Sequence, residues 1–118
     1  MEPRKVWQEY TSEYYQMDTY YRFFHVSYAE SLKSYHSELD DLWRQVAEKV
    51  EGLYTHWFLG ELGSNWSDAC ADDLLEYGRV LEVPQQTDFY RRHISSTDSR
   101  VYVIISDAMR YEVAASPI

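Results

Sequence analysis

The sequence predicts a mainly α fold, an antiparallel helical hairpin or bundle followed by one C-terminal β-strand that would begin an α/β sheet. Aromatic and aliphatic residues recur at alternating steps of three and four along two long stretches, which is the spacing of helices packed side by side. Glycine and proline are scarce, with 4 and 3 residues, and this favours long helices with few tight turns. The run from Val101 to Ile105 is continuously apolar, as in a strand buried on both faces.

The first aromatic stripe predicts one long helix from about Pro3 to Ser34. Pro3 is tolerated in a first helical turn, and Asp18 could instead be an N-cap that divides the helix in two. We interpret the rings as core rather than as a base-stacking platform, because Arg and Lys do not alternate with them. The stripe consists of Trp7, Tyr10, Tyr14, Met17, Tyr21, Phe24 and Tyr28.

A second stripe follows a predicted turn at Tyr35-His36-Ser37, where Ser37 is the expected N-cap. Two such stripes joined by a short turn predict an antiparallel helical hairpin. Gly60 and Gly63 are predicted to end this helix. The members of the stripe are Leu39, Trp43, Val46, Val50, Leu53 and Trp57.

The remaining sequence predicts two further helices and the strand. One helix is expected to be capped by Ser64 or Asn65 and to end at Gly78. A short last helix, capped by Thr87 or Asp88, should run through Ile94 and lead into a polar loop. The chain thus divides into a helical module over residues 1–98 and, over residues 99–118, the first strand and helix start of a larger domain.

Composition excludes several classes of function for this segment. It has 20 acidic residues against 11 Lys and Arg, for a net charge of −9, so we expect no nucleic-acid or membrane binding, since phosphate binding needs local cations. Cys70 stands alone, which precludes a disulfide framework or a cysteine-based zinc site within one chain. No segment of about 18 apolar residues occurs. A cytoplasmic location is the expectation.

Asp107 is the best candidate for chemistry, because it follows the apolar run directly. Open α/β sheets place ligand-handling groups at the carboxyl ends of their strands, and a carboxylate there suits a divalent metal. The alternative is an ordinary loop acid or the N-cap of the next helix. An apolar strand that ends in Asp is also similar to a Walker B strand, but the four glycines form no G-x-x-x-x-G-K-[ST] loop.

Arg110 and Glu112 flank Tyr111 on the predicted helix start. They could contact an anion and orient a metal ligand, or they could simply be solvated, and the sequence does not choose between these. The four histidines lack the spacing of a metal motif, and packing roles are favoured for them; they are His25, His36, His56 and His93.

The sequence RVYVIISDAMRYEVAA, residues 100–115, resembles the start of the PglZ domain. That domain belongs to the alkaline-phosphatase superfamily and occurs in phage-defence systems of the BREX type. Met109 stands where the family pattern has Leu. Earlier stretches are similar to the helical region ahead of this domain in type A PglZ proteins; they are MDTYYRFF (17–24), the Trp43 helix, GLYTHWFLGELGSNWS (52–67) and QQTDFYRR (85–92).

The resemblance implies a metal-dependent phosphohydrolase in which Asp107 is the first metal ligand and zinc the favoured ion. The family's Ser or Thr nucleophile and its further Asp and His ligands are expected downstream of Glu112. The chain is therefore expected to be a fragment without catalytic competence by itself, and its Ser116-Pro117-Ile118 end, which departs from the family pattern, is read as a truncation.

Two hypotheses about function follow from these patterns. The first is a fragment of a PglZ-type phosphohydrolase, with the missing catalytic domain or other defence-system proteins as partners. The second is a helical protein–protein interaction module without a catalytic role. An incomplete sheet leaves strand edges unpaired, so residues 101–105 are expected either to self-associate or to be disordered.

Overall fold

The computed structural model describes residues 2–33 and 37–116, and this part of the chain is mainly helical and contains no β-strand. Five α-helices are joined in places by 3₁₀- and π-helical segments. The α-helices are α1 (Pro3–Glu9), α2 (Tyr15–Ser31), α3 (Ser37–Gly52), α4 (Gly60–Tyr77) and α5 (Tyr111–Ala115). None of the described helices is both long and apolar enough to cross a bilayer.

The first arm of the fold is a continuous helical stretch in which α1 passes through the π-helical segment Tyr10–Tyr14 into α2. This confirms the predicted long helix as far as Ser31, and Pro3 lies in its first turn. Asp18 lies buried inside α2, so the alternative in which it caps a separate helix is wrong. The predicted turn residues 35 and 36, like Ser34, lie outside the described residues.

The second arm is equally continuous, because α3 passes through the π-helical segment Leu53–Leu59 into α4. The prediction that Gly60 and Gly63 end a helix is wrong, since both lie within α4. A glycine in a helix interior costs only about 1 kcal/mol, and packing of α4 on α1 offsets a cost of that size. The caps predicted at Ser64 and Asn65 are wrong for the same reason.

Gly78 ends the second arm, as predicted. Its φ of 66° is in the left-handed region, which glycine adopts without a Cβ clash. Its backbone N–H donates to the Leu74 carbonyl at 3.1 Å, and this bond satisfies one of the carbonyls left free at the helix end.

The two arms pack as the predicted antiparallel hairpin: α1 contacts α4, and α2 contacts α3. At the crossing, the Tyr21 ring stacks on the Tyr54 ring with centroids 3.7 Å apart, and the Tyr21 hydroxyl donates to Glu51. Among the described residues, the buried apolar side chains are Val6, Tyr54, Phe58, Cys70 and Val80.

Tyr14 and Met17 of the first stripe are exposed, which corrects their interpretation as core, and several residues of the second stripe are exposed as well. Two helical arms bury only the strip along which they touch, and no further layer covers the opposite side of α3 within the described ranges. The exposed residues of the second stripe are Leu39, Trp43, Leu53 and Trp57.

The short helix expected before the polar loop is present as a 3₁₀ turn, Gln86–Asp88, and a π-helical segment, Tyr90–Ile94. Its cap differs from the prediction, because Gln85 rather than Thr87 or Asp88 is the N-cap. The Asp88 carboxylate accepts the Gln85 backbone N–H at 3.3 Å, which closes a capping box.

The predicted strand over residues 101–105 is wrong for the described structure: the segment has no regular secondary structure. Ile104 is 93 % exposed and Ile105 is 89 % exposed. A strand requires a neighbouring strand to satisfy its backbone N–H and C=O groups, and the described residues supply no such neighbour. The helix expected after this segment does form, but it begins at Tyr111.

Candidate functional site

Asp107 lies in an exposed turn together with Ala108. The φ of Ala108 is +56°, a left-handed conformation that costs a residue with a Cβ on the order of 1 kcal/mol. The N-cap of α5 is Arg110, so the alternative in which Asp107 caps the following helix is wrong. The turn therefore presents the Asp107 carboxylate to solvent.

A complete metal site is not formed by residues 2–33 and 37–116, which contain no group of three or more His, Cys, Asp and Glu able to hold an ion. A zinc site takes about three protein ligands. The Asp107 carboxylate is a suitable oxygen donor, but it supplies one ligand alone. Its role as a metal ligand stays a prediction.

Glu112 lies at the centre of a charged cluster that joins α5 to α2. Its side chain is 2 % exposed. The Oε1 atom accepts Arg22 Nε at 2.8 Å and Arg22 Nη2 at 2.6 Å, and it also pairs with Arg110 Nε at 2.8 Å. Burial raises the pKa of Glu112, but its backbone hydrogen bond and the two arginines outweigh burial, so the pKa is lowered overall.

Asp18 forms the second half of the cluster, one helical turn before Arg22 on α2. The carboxylate accepts the Tyr10 hydroxyl at 2.6 Å and the Tyr54 hydroxyl, and Arg110 Nη2 lies 4.0 Å away. Burial and the hydrogen bond to this carboxylate raise the pKa of Tyr54 to about 12 and also raise the pKa of Tyr10. Both hydroxyls thus remain protonated donors.

Tyr111 adds an aromatic contact beside the charges. Its ring lies 5.4 Å from the Tyr15 ring in an edge-on arrangement and 5.8 Å from the Tyr10 ring. Its hydroxyl donates to the Thr11 carbonyl at 2.9 Å. Tyr10 and Thr11 belong to the π-helical segment of the first arm, a local widening of the helix that is frequent at functional sites.

We call the four charged residues Asp18, Arg22, Arg110 and Glu112 the ionic clamp. Its two carboxylates and two guanidinium groups balance in charge. The two carboxylates are buried, whereas the Arg22 and Arg110 side chains are 42 % and 57 % exposed. Removing an arginine is costly because a buried carboxylate is left unpaired. What the clamp can do is hold α5 on the first arm in one register.

Two of the three site residues predicted from the sequence lie in the clamp. Arg110 and Glu112 are brought together as the cation and the acid of one cluster. Asp107 lies outside that cluster, in the exposed turn. Their predicted roles toward an anion or a metal ligand stay predictions. Asp18 and Arg22 were missed; their i, i+4 spacing, which places them on one helix face, was the available signal.

Comparisons with known proteins relate the chain to large proteins that are described as alkaline phosphatase-like. It is 36 % identical over 116 residues to the alkaline phosphatase-like protein PglZ of Bacillus cereus (strain H3081.97), a match that covers 96 % of this chain and 13 % of that protein. It is 32 % identical over 114 residues to the alkaline phosphatase-like protein BrxZ of Escherichia coli O9:H4 (strain HS), which covers 92 % of this chain and 13 % of that protein. No family model matches the chain, and no solved structure matches it.

These matches define the class of protein: the chain is homologous to a segment of alkaline phosphatase-like proteins. It belongs to the PglZ family, which confirms the resemblance of its motifs. The chain spans about one eighth of the length of these curated relatives, 13 % in each case.

Proposed function

We propose that this chain is the segment of a PglZ-type metal-dependent phosphohydrolase that carries the helical lead-in and the first metal-ligating acid, Asp107, in a phage-defence system of the BREX type. The observation that carries the proposal is the burial of Glu112, from the family motif, against Arg22 of the first helical arm. The motif and the lead-in are therefore parts of one folded unit.

The exposed apolar segment 101–105 supports the same proposal. Burying Ile104 and Ile105, which are almost fully exposed, would be favourable by about 25 cal/mol for each Å² of apolar surface. In the proposed protein this apolar surface is covered by the phosphatase domain. The nucleophile and the remaining metal ligands come from that domain.

The experiment that tests this function is Asp107→Asn in the intact protein. Asparagine keeps the size of the side chain and removes its charge. We expect zinc content to fall and the hydrolysis of p-nitrophenyl phosphate to drop on the order of 100-fold or more, since losing a metal ligand forfeits several kcal/mol. Zinc is measured by elemental analysis. The matched control is Asp98→Asn, an exposed acid in the preceding loop. Unchanged zinc content and activity in Asp107→Asn would remove the proposal.

A second candidate function is a protein–protein interaction module. It is favoured by a groove of about 430 Å³ between the arms, beside which Tyr20 and Trp57 are exposed. Partner proteins of the same defence system are the proposed occupants under this alternative. The same experiment discriminates the two functions, because Asp107→Asn would not change the zinc content of a protein in which this chain is only an interaction module.

A further inference from the structure

The segment from residue 95 onward is anchored to the fold chiefly through charged side chains. Every residue from 95 to 110 is exposed. In α5, Tyr111 and Val113 are also exposed, whereas Glu112 is buried. A carboxylate is therefore the most deeply buried side chain of this segment.

An anchor of this kind sets the register of α5 on α2. Apolar contacts are non-directional and roughly proportional to area, so they tolerate a shift along a helix. The Arg22 guanidinium instead donates through Nε and Nη2 to one oxygen of Glu112, and charge-assisted hydrogen bonds are strong and depend on distance and angle. A shift of one residue would leave the buried Glu112 without the Arg22 guanidinium, at a high cost.

The register of α5 also limits the position of Asp107, because the connection between them is short. Two residues separate Asp107 from Arg110, so their Cα atoms lie within about 11 Å of each other even in an extended chain. Arg110 is held from two sides, by Glu112 at 2.8 Å and by Asp18 at 4.0 Å. The Ala108 turn occupies the connection between them.

We propose that Asp18 and Arg22, on the first arm, are positioning residues for Asp107. They bind Arg110 and Glu112, and these two residues fix the position of the chain directly after the Asp107 turn. Asp18 and Arg22 touch no reacting atom; they act through α5. This inference rests on the proposed function, since it assigns a purpose to the clamp only if Asp107 binds a metal.

The test is Arg22→Ala in the intact protein, with Arg22→Lys as a conservative variant that keeps the charge and loses the guanidinium geometry. We expect zinc affinity, measured by titration against a competing chelator, to fall about 10- to 100-fold in Arg22→Ala, as for other groups that orient metal ligands. Arg22→Lys should fall between Arg22→Ala and the unchanged protein. Hydrogen exchange of the amides of residues 111–116 should accelerate in the same order.

The matched control is Arg44→Ala, because Arg44 is exposed on α3 and pairs with Asp41 at 2.9 Å. It should alter neither zinc affinity nor exchange. Far-ultraviolet circular dichroism confirms that each variant retains its helices. Excess zinc should restore hydrolysis in Arg22→Ala, where the ligand is present but misplaced, and should not restore it in Asp107→Asn.

Two results would overturn this inference, and they are distinguishable. If Asp107→Asn lowers zinc affinity and Arg22→Ala leaves it unchanged, the clamp does not position Asp107, while the proposed function stands. If Asp107→Asn itself has no effect on zinc, the proposed function fails and the inference fails with it.

Discussion

The helical hairpin and the C-terminal segment are held in place by different forces. In the hairpin, two unbroken helical arms touch along a strip of apolar and aromatic side chains, with Phe58 and Cys70 among the most buried. In the segment from residue 95 onward, exposed backbone leads to α5, whose buried side chain is Glu112.

This difference implies that one region provides the stability of the fold and the other fixes the position of α5. Apolar burial contributes stability in proportion to area and can accommodate small shifts. The clamp pairs buried carboxylates with partly exposed arginines, and the absence of one arginine leaves a buried charge unpaired. The hairpin is thus the stable frame, and the clamp determines where α5 lies on it.

The largest expected effect comes from breaking the apolar frame. Phe58→Ala should lower the free energy of unfolding by about 3 kcal/mol, because a buried ring is lost and a cavity is left. Phe23→Ala provides the control, since Phe23 is 62 % exposed while Phe58 is 8 % exposed; its effect should be within about 0.5 kcal/mol. Urea unfolding followed by circular dichroism measures both. Equal effects of the two substitutions would show that the arms do not pack through Phe58.

An intermediate effect should come from acid, through protonation of the buried Glu112 carboxylate in the clamp. The pKa of folded Glu112 lies below the usual value of 4.5, so its contribution is present above that value and is lost as the pH falls through the folded pKa. The docking of α5 should weaken by about 2 kcal/mol, as for other hydrogen bonds to charged groups.

NMR shifts of the Ala114 and Ala115 methyl groups follow the docking of α5 during this titration, and circular dichroism follows the arms. We expect α5 to detach at a higher pH than that at which helix content falls. Simultaneous loss of both signals would mean that the clamp and the frame are one cooperative unit.

The smallest expected effects come from two glycine substitutions, which test where the second arm is helical and where it ends. Gly63→Ala should stabilise the hairpin by up to about 1 kcal/mol, because Gly63 is helical with nothing within 4 Å of an added Cβ and alanine is the better helix former. Gly78→Ala should destabilise it by about 1 kcal/mol, since the φ of Gly78 is +66° and is strained for alanine. The same urea measurement checks both changes, and equal signs would contradict the assigned helix end.

The two arms could be predicted from the sequence because their signals are local. The aromatic stripes predicted the hairpin, and Gly78 was correctly assigned as a helix end. Gly60 and Gly63 misled the prediction, since glycine ends a helix only when its backbone adopts a left-handed conformation, and packing of α4 on α1 keeps both helical.

The candidate site was only partly predictable. Arg110 and Glu112 were candidates from the sequence, which did not choose between a site role and solvation. Their partners Asp18 and Arg22 lie about 90 residues away in the chain, and the i, i+4 spacing of these two does not indicate that α5 packs against them. The strand over 101–105 was expected because its residue types favour a buried strand, whereas a strand forms only beside another strand.

The amino-acid sequence by itself determined the helical arms, the charge balance and the membership in the PglZ family, because periodicity, composition and motif similarity are properties of the residues in order. The tertiary structure alone decided which side of each arm is covered, that Asp18 and Arg22 receive α5, and that Glu112 is the buried anchor. The physical reason is that burial and ion pairing depend on distances between residues far apart in the chain, and those distances exist only once the arms have packed.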